Sequence, residues 1–387
     1  MSLRFLKRKP TTKAPHSAAT TPTGSPQTKA ASTQTAQDRR TTAAAIERSA
    51  TALQAGETPL SGIDCVMVDL DGVVYKGDHA IPAAVESLTS TTLRVGYLTN
   101  NASRTAASVA EHLQRLGLPA SESDVVTSSQ AAARLLLGLV DEGAEVLVVG
   151  GEGLIVEVER AGLKPVRTAS DATAAVVQGF SPEVGWKDLA EAAYALQGDH
   201  AERHWVATNN DWTIPLARGV APGNGTLVSA VHTAVARLPV IAGKPETPIF
   251  EAAMERFGAR TALFVGDRLD TDILGANRAG LRSALVLTGI DGARQLLAAD
   301  PSMRPDVILG DLSELDAPYP EVVTEADGVT RVGTSAVRLE GRTLELVEAG
   351  SFADLVRAAS AAVWGSGMAI FAIDVTGPLL DALRIAR

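Results

Sequence analysis

Cys65-Val-Met-Val-Asp-Leu-Asp-Gly-Val-Val-Tyr75 decides how the rest of the chain is read. Four apolar residues, Cys65–Val68, run directly into Asp69, and Asp71 and Gly72 follow. A short unbroken apolar run marks a strand covered on both faces, as in a parallel sheet. Here it ends on two carboxylates. Side chains at i and i+2 of extended backbone point the same way, so Asp69 and Asp71 would share one face. Two carboxylates that close repel each other, so a cation is expected between them. A hard, oxygen-lined site suits Mg²⁺.

The same grammar recurs along the chain. Arg94–Leu98 reads as a second strand, ending in Thr99-Asn100-Asn101. Ser103 is the expected N-cap of a helix with Val109, Leu113 and Leu116 on one face and Gly117 past its end. A helix from about Ser129 to Val140 precedes a strand at Glu145–Val149. A strand at Val240-Ile241 leads into Gly243-Lys244-Pro245, then a helix with Ile249, Phe250, Ala253, Met254 and Phe257 on one face. Thr261–Val265 ends in Gly266-Asp267, and strands Ser283–Leu287 and Asp306–Leu309 follow. Such alternation predicts a doubly wound α/β core with a parallel sheet, whose ligand site lies at the carboxyl ends of the strands. Asp69, Thr99, Lys244 and Asp267 all fall at such ends.

These residue types suit phosphoryl transfer. Asp267 can add a third oxygen to the cation, Lys244 a positive charge and Thr99 a hydroxyl. A carboxylate nucleophile divides one difficult hydrolysis into two easier steps through an acyl phosphate. Cation and lysine hold the equatorial oxygens as charge spreads. A second carboxylate protonates the leaving alkoxide, then takes a proton from water.

Asp69-Leu-Asp-Gly-Val-Val-Tyr75, Leu98-Thr-Asn-Asn101, Gly243-Lys-Pro245 and Val265-Gly-Asp-Arg-Leu-Asp-Thr-Asp-Ile273 resemble, in order, the four motifs of the haloacid dehalogenase (HAD) superfamily. The wording is similar to its NagD-type phosphatases, over roughly residues 60–318. The resemblance implies that Asp69 is the nucleophile and a Mg²⁺ ligand. It implies that Asp71 is the general acid/base, with its backbone carbonyl on the metal. Thr99 and the Asn100 backbone would grip the phosphoryl group, with Asn101 beside them, and Lys244 would neutralise it. Asp267 would be a side-chain metal ligand, and Asp272 would orient a metal water or Lys244. Asp270, between the last two, is the less suited to reach the metal.

Spacing places a second domain. From Asp69 to Thr99 is 30 residues, too few for an extra domain; from Thr99 to Lys244 is 244 − 99 = 145, far more than one βα unit needs. The insertion, about Val140–Pro239, resembles the α/β C2-type cap of the NagD group. Such a cap covers the site, excludes water and selects the leaving group. Within it, Ala207-Thr-Asn-Asn-Asp211 resembles the cap loop that faces the site, making Asn209 and Asp211 the substrate-facing residues. The expected organisation is a catalytic core of residues 59–139 and 240–318, a cap of 140–239, and a C-terminal α+β extension of 319–387. In the extension, three short strands precede a helix striped by Phe352, Leu355, Val356, Ala359 and Val363.

The chain has 387 residues and a net charge of −10. Residues 1–60 hold nine Lys/Arg and three Asp/Glu, +6, so the remainder carries −10 − 6 = −16. Residues 1–58, rich in Thr, Ala, Ser and Gln, read as a disordered basic tail. An acidic body argues against nucleic acid, and no apolar run reaches the roughly 18–20 residues of a membrane span. The single cysteine, Cys65, suits a reducing cytoplasm and reads as a small core residue. Val149-Gly-Gly-Glu-Gly153 lacks the third glycine of a dinucleotide loop and reads as a plain βα turn. His200 and His204, four apart, read as a solvated helix face rather than a metal site.

The resulting expectation is a Mg²⁺-dependent phosphomonoester hydrolase for a small phosphate ester, with the cap as a candidate surface for a homo-oligomer. The architecture resembles actinobacterial NagD-like enzymes with a C-terminal extension, a group that includes glycerol-3-phosphate phosphatase, which points first to glycerol 3-phosphate. Nucleoside monophosphates, sugar phosphates and pyridoxal phosphate stay open, because phosphate-binding motifs do not report the leaving group. The alternative of another class is a scaffold built on an idle core, against which the intact Asp69, Asp71, Lys244 and Asp267 speak.

Overall fold

The computed structural model describes residues 53–385 except Ala55 and Ala217. Most of the expected N-terminal tail therefore lies outside the described residues. Its last part differs from expectation: Leu53 packs on the core cluster, and the Glu57 carbonyl accepts a 2.8 Å hydrogen bond from Tyr319 N.

Six parallel strands form the core sheet, in the order Val307–Leu309, Arg282–Val286, Ala262–Gly266, Cys65–Val68, Arg94–Thr99, Val125–Thr127. The first strand in sequence is central, and the chain builds outward from it on one side and later on the other. That reversal puts the crevice of a doubly wound sheet at the carboxyl end of Cys65–Val68, where Asp69 stands. Val66 and Val68 face one apolar cluster while Cys65 and Met67 face the other, all essentially solvent-free. Each fully buried aliphatic side chain of this kind stabilises the fold by about 1.5–3 kcal/mol, which is why an uninterrupted apolar run is tolerated here.

Local signals explain most element ends, with corrections. The helix Ala106–Arg115 is capped by Thr105, whose side chain accepts from Ser108 N, rather than by Ser103. Ser103 N and Oγ both donate to Asn101 Oδ1 and belong to the preceding turn. The helix Ser128–Leu137 stops at Gly138, short of the expected Val140. Val125–Thr127, three residues long, carried too little pattern to be read as a strand.

Five further parallel strands build a second sheet within the long insertion, in the order Val240–Ile241, His204–Ala207, Thr173–Gln178, Glu145–Val149, Lys164–Val166. Val240–Ile241 was expected in the core; instead it pairs with Val206 and Ala207. One face of this sheet (Val146, Val148, Ala175, Val177) joins the apolar cluster that holds Met67, Leu98 and Phe250 of the core. The other face has its own cluster around Trp205. His200 ends a short 3-10 turn and His204 opens a strand, so the two do not share a helix face.

The C-terminal residues form an antiparallel meander, Val322–Thr324, Val329–Val332, Ser335–Glu340 and Thr343–Glu348, with Asp374–Val375 added in parallel. The helix Phe352–Ser366 starts at a Ser351 cap and ends at Gly367, which has φ 68°. Its Leu355, Val356, Ala359 and Val363 share one cluster with Leu285 and Ile308 of the core sheet and with Leu269 and Ile273. Arg357, 5% exposed, pins the junction: Nε donates to the Ile308 carbonyl at 2.8 Å, while Glu314 and Asp354 neutralise it.

Candidate active site

The four sequence motifs converge on one cleft of about 190 Å³. Asp69, Asp71, Thr99, Lys244 and Asp267 line it from the core, and Phe180, Asn209 and Asp211 from the inserted sheet. Lys244 Nζ lies 2.7 Å from Asp69 Oδ1 and 2.7 Å from Asp272 Oδ1, and is 3% exposed. Asp272 Oδ2 accepts from the backbone N–H groups of Asp267 and Arg268, each at 3.1 Å. Asp272 thus ties the lysine to the loop that carries Asp267. Asp270 reaches none of these groups; it binds the Arg268 guanidinium at the surface.

Asp69, Asp267 and Asp272 each bring a carboxylate oxygen within 4.8 Å of the others. Asp267 Oδ2 accepts from Ile290 N at 2.8 Å. The chain approaches so closely that a Cβ on Gly72 or Gly289 would lie 2.2 or 2.0 Å from that oxygen. Among the described residues, no donor meets Asp69 Oδ2 or Asp267 Oδ1, so these oxygens could hold a divalent cation. Hard carboxylate donors of this kind fit Mg²⁺.

Asn100 joins core to insertion. Its Nδ2 donates to the Lys244 carbonyl at 3.0 Å and to both Asp211 oxygens at 3.2 and 3.3 Å; its Oδ1 accepts from Lys244 N at 2.9 Å. The Asn100 carbonyl accepts from Ser128 Oγ and Asn209 Nδ2, each at 2.7 Å. Asn209 Oδ1 in turn accepts from Asp211 N. The Asn209 side chain, expected to face substrate, is therefore engaged at both polar atoms. The Asn101 Oδ1 is consumed by the Ser103–Arg104 turn, whereas Thr99 Oγ1, which accepts from Asn101 N, keeps its own O–H as a donor. Sequence reasoning missed Ser128 and the Asn100 side chain, because no local spacing announces contacts across 28 and 144 residues, and Phe180 and Arg268, which line the cleft from loops whose course the sequence does not show.

Burial and crowded charge shape the electrostatics. Burial pushes the Asp69 carboxyl well above the usual range; Lys244 opposes this, and Asp272 and Asp267 add to it. Burial, with Asp272, raises Asp267 to about 7. Burial works to strip the Lys244 proton, but Asp272 and Asp69 outweigh it and hold that proton above the ordinary lysine range. Asp71 opens to the cleft, yet the surrounding walls desolvate it and raise its carboxyl, against Arg104, Lys244 and His112.

Residues 66–164 match the family described as haloacid dehalogenase-like hydrolase, and residues 241–315 a HAD-hydrolase-like family. The chain is 46% identical over 307 residues to D-glycerol 3-phosphate phosphatase of Mycobacterium tuberculosis, covering 78% of this chain and 86% of that one. This chain belongs to the haloacid dehalogenase-like hydrolases. It is also 39% identical to glycerol-3-phosphate phosphatase of Gallus gallus, over 61% of this chain and 84% of the relative. A crystal structure of the M. tuberculosis glycerol phosphate phosphatase in complex with magnesium superposes with a TM-score of 0.76 at 41% identity, covering 85% of this chain and 98% of that one. The p-nitrophenyl phosphatase of Archaeoglobus fulgidus gives 0.59 at 28% identity, covering 65% of this chain and 97% of its own. In this hydrolase the four motifs are the ones that the fold gathers at the sheet switch point.

Proposed function

We propose that this hydrolase is a Mg²⁺-dependent phosphomonoesterase that works through a phosphoaspartate on Asp69, with glycerol 3-phosphate as its substrate. One observation carries the reading: Lys244 Nζ bridges Asp69 and Asp272 at 2.7 Å inside a three-carboxylate cluster, with Asp71 opening to the same cleft. Asp69 attacks phosphorus while Asp71, its carboxyl raised, gives its proton to the departing alkoxide. Asp71, now ionised, takes a proton from water, which attacks the acyl phosphate and frees Asp69 and phosphate. Lys244 and the Thr99 hydroxyl hold the phosphoryl oxygens as charge builds on them. Mg²⁺, when bound by Asp69, Asp267 and the Asp71 carbonyl, supplies positive charge to those oxygens. Asp272 keeps Lys244 in place.

A small leaving group is supported by cleft size. About 190 Å³ is below the roughly 300–1,000 Å³ of pockets for drug-sized ligands, which favours a polyol over a nucleoside. The names of the M. tuberculosis and G. gallus relatives point the same way. The inserted sheet with its hairpin Thr213–Leu216/Gly219–Pro222 acts as the cap. Its exposed Trp186, Tyr194 and Leu238 support assembly through that unit. A cytoplasmic location belongs to the same reading and is supported by Cys65, a buried free thiol. The test is phosphate release from glycerol 3-phosphate and p-nitrophenyl phosphate with Mg²⁺, for wild type and Asp69→Asn. Loss of about 10³-fold or more in the variant is expected. Equal rates in the two proteins would remove the covalent mechanism.

A further inference from the structure

Beyond the phosphoryl-binding groups, the cleft carries a second cation that the chemistry above does not use. Arg268 lines the cleft from the loop after Ala262–Gly266. Its guanidinium is held rigidly: Nε donates to Asp270 Oδ1 at 3.0 Å and Nη2 to Asp270 Oδ2 at 2.8 Å. A bidentate fork of this kind fixes direction as well as charge. Among the described residues, no acceptor meets Nη1. The inserted loop supplies Asp211, whose oxygens take hydrogen bonds from Asn100 alone among the described residues and keep lone pairs to spare. Arg268 and Asp211 line the same cleft. Phe180 and Ile214 complete the wall with apolar surface.

The charges decide what fits there. Arg268 is balanced by Asp270 and shares the cleft with Asp211, so this part of the cleft has no net positive charge for a second phosphate or a carboxylate. It offers one directed donor and one acceptor. We propose that Arg268 and Asp211 determine specificity by reading a vicinal diol on the leaving group: Arg268 Nη1 donates to one hydroxyl oxygen, and Asp211 accepts from the neighbouring hydroxyl. Asp270 is then a positioning residue, and its place in the fourth motif is explained by the arginine rather than by a metal. This inference rests on the phosphatase reading and names the substrate feature that reading left open.

The experiment compares kcat/KM for glycerol 3-phosphate and for 3-hydroxypropyl phosphate, which lacks the central hydroxyl, in wild type, Arg268→Met and Arg268→Lys. Wild type should prefer the diol at least tenfold, since a site built to bond a hydroxyl rejects the analogue without it. Arg268→Met, which keeps an apolar stem without donors, should collapse that ratio toward one, with the loss mainly in KM for the diol. Arg268→Lys should recover part of it. A wild-type ratio near one overturns the diol inference while leaving the phosphatase reading intact. So does an Arg268→Met protein that slows both esters equally and keeps the ratio. Absence of turnover of either ester and of p-nitrophenyl phosphate by the wild type would instead overturn the phosphatase reading, and this inference with it.

Discussion

Gly289→Ala tests whether the loop after Arg282–Val286 shapes the proposed metal site by closeness alone. Gly289 is not in the left-handed region, so the backbone itself accepts alanine. The added Cβ, however, would stand 2.0 Å from Asp267 Oδ2, 2.1 Å from its Cβ and 2.4 Å from its Cγ. Asp267 is 1% exposed and cannot swing aside without surrendering the 2.8 Å bond from Ile290 N. Overpacking a tight interior costs about 1–3 kcal/mol, and a hydrogen bond to a charged group is worth about 1.5–3 kcal/mol. The expected destabilisation is therefore about 3–5 kcal/mol. Mg²⁺ binding should weaken by about 10–100-fold, as when a ligand loses its orienting partners. Urea unfolding gives the first quantity and calorimetric titration with Mg²⁺ the second. The control is the same substitution in an Asp267→Gly background, where the obstructing carboxyl and Cβ are both gone and the added cost should fall below about 1 kcal/mol. An equal cost in both backgrounds, or wild-type Mg²⁺ affinity in Gly289→Ala, refutes the reasoning.

Three further predictions use other parts of the structure. Lys244→Met leaves Asp69 and Asp272 without their buried cation and should cost about 3–5 kcal/mol at pH 7; the gap to wild type should narrow on acidification as Asp69 gains a proton, and urea melts showing under about 1 kcal/mol would contradict it. Asp267, with a carboxyl raised from 3.8 to about 7, contributes stability that is complete below pH 3.8 and is lost as pH rises through about 7. In EDTA the melting temperature should accordingly fall between pH 5.5 and pH 8, and Mg²⁺ should restore it at pH 8; a flat calorimetric profile in EDTA argues against this. Cys65, 1% exposed, has its thiol pushed up to about 12 by burial, so at pH 8 iodoacetamide should label it only as fast as the protein unfolds. Rapid labelling of the native protein, followed by mass spectrometry, would show the thiol to be accessible.

Legibility in the sequence tracked how local each signal was. Cys65–Val68 and Ala262–Gly266 were readable because a strand buried on both faces must be apolar at every position. The stripe of the helix Phe352–Ser366 was readable because its period is set by the helix itself. Val125–Thr127 was too short to show a period, and Val240–Ile241 could be read as a strand but not assigned to a sheet, since pairing partners are chosen in space. Ser103 and Thr105 both satisfy the composition of an N-cap, and only the turn built on Asn101 decides between them.

The sequence by itself determined that carboxylates, a lysine and a hydroxyl stand at strand ends, because each motif carries its own strand and its own turn. It also called for more than one βα crossover between Thr99 and Lys244, where the fold builds a second sheet, because 145 residues exceed what one crossover can use. Only the tertiary structure decided which atoms remain for chemistry. It spent the Asn100 and Asn209 side chains on joining insertion to core, gave Asp272 to Lys244, and turned Asp270 toward Arg268. The physical reason is that a hydrogen bond consumes a donor and an acceptor wherever the fold brings them together, and sequence separation says nothing about which pair will meet.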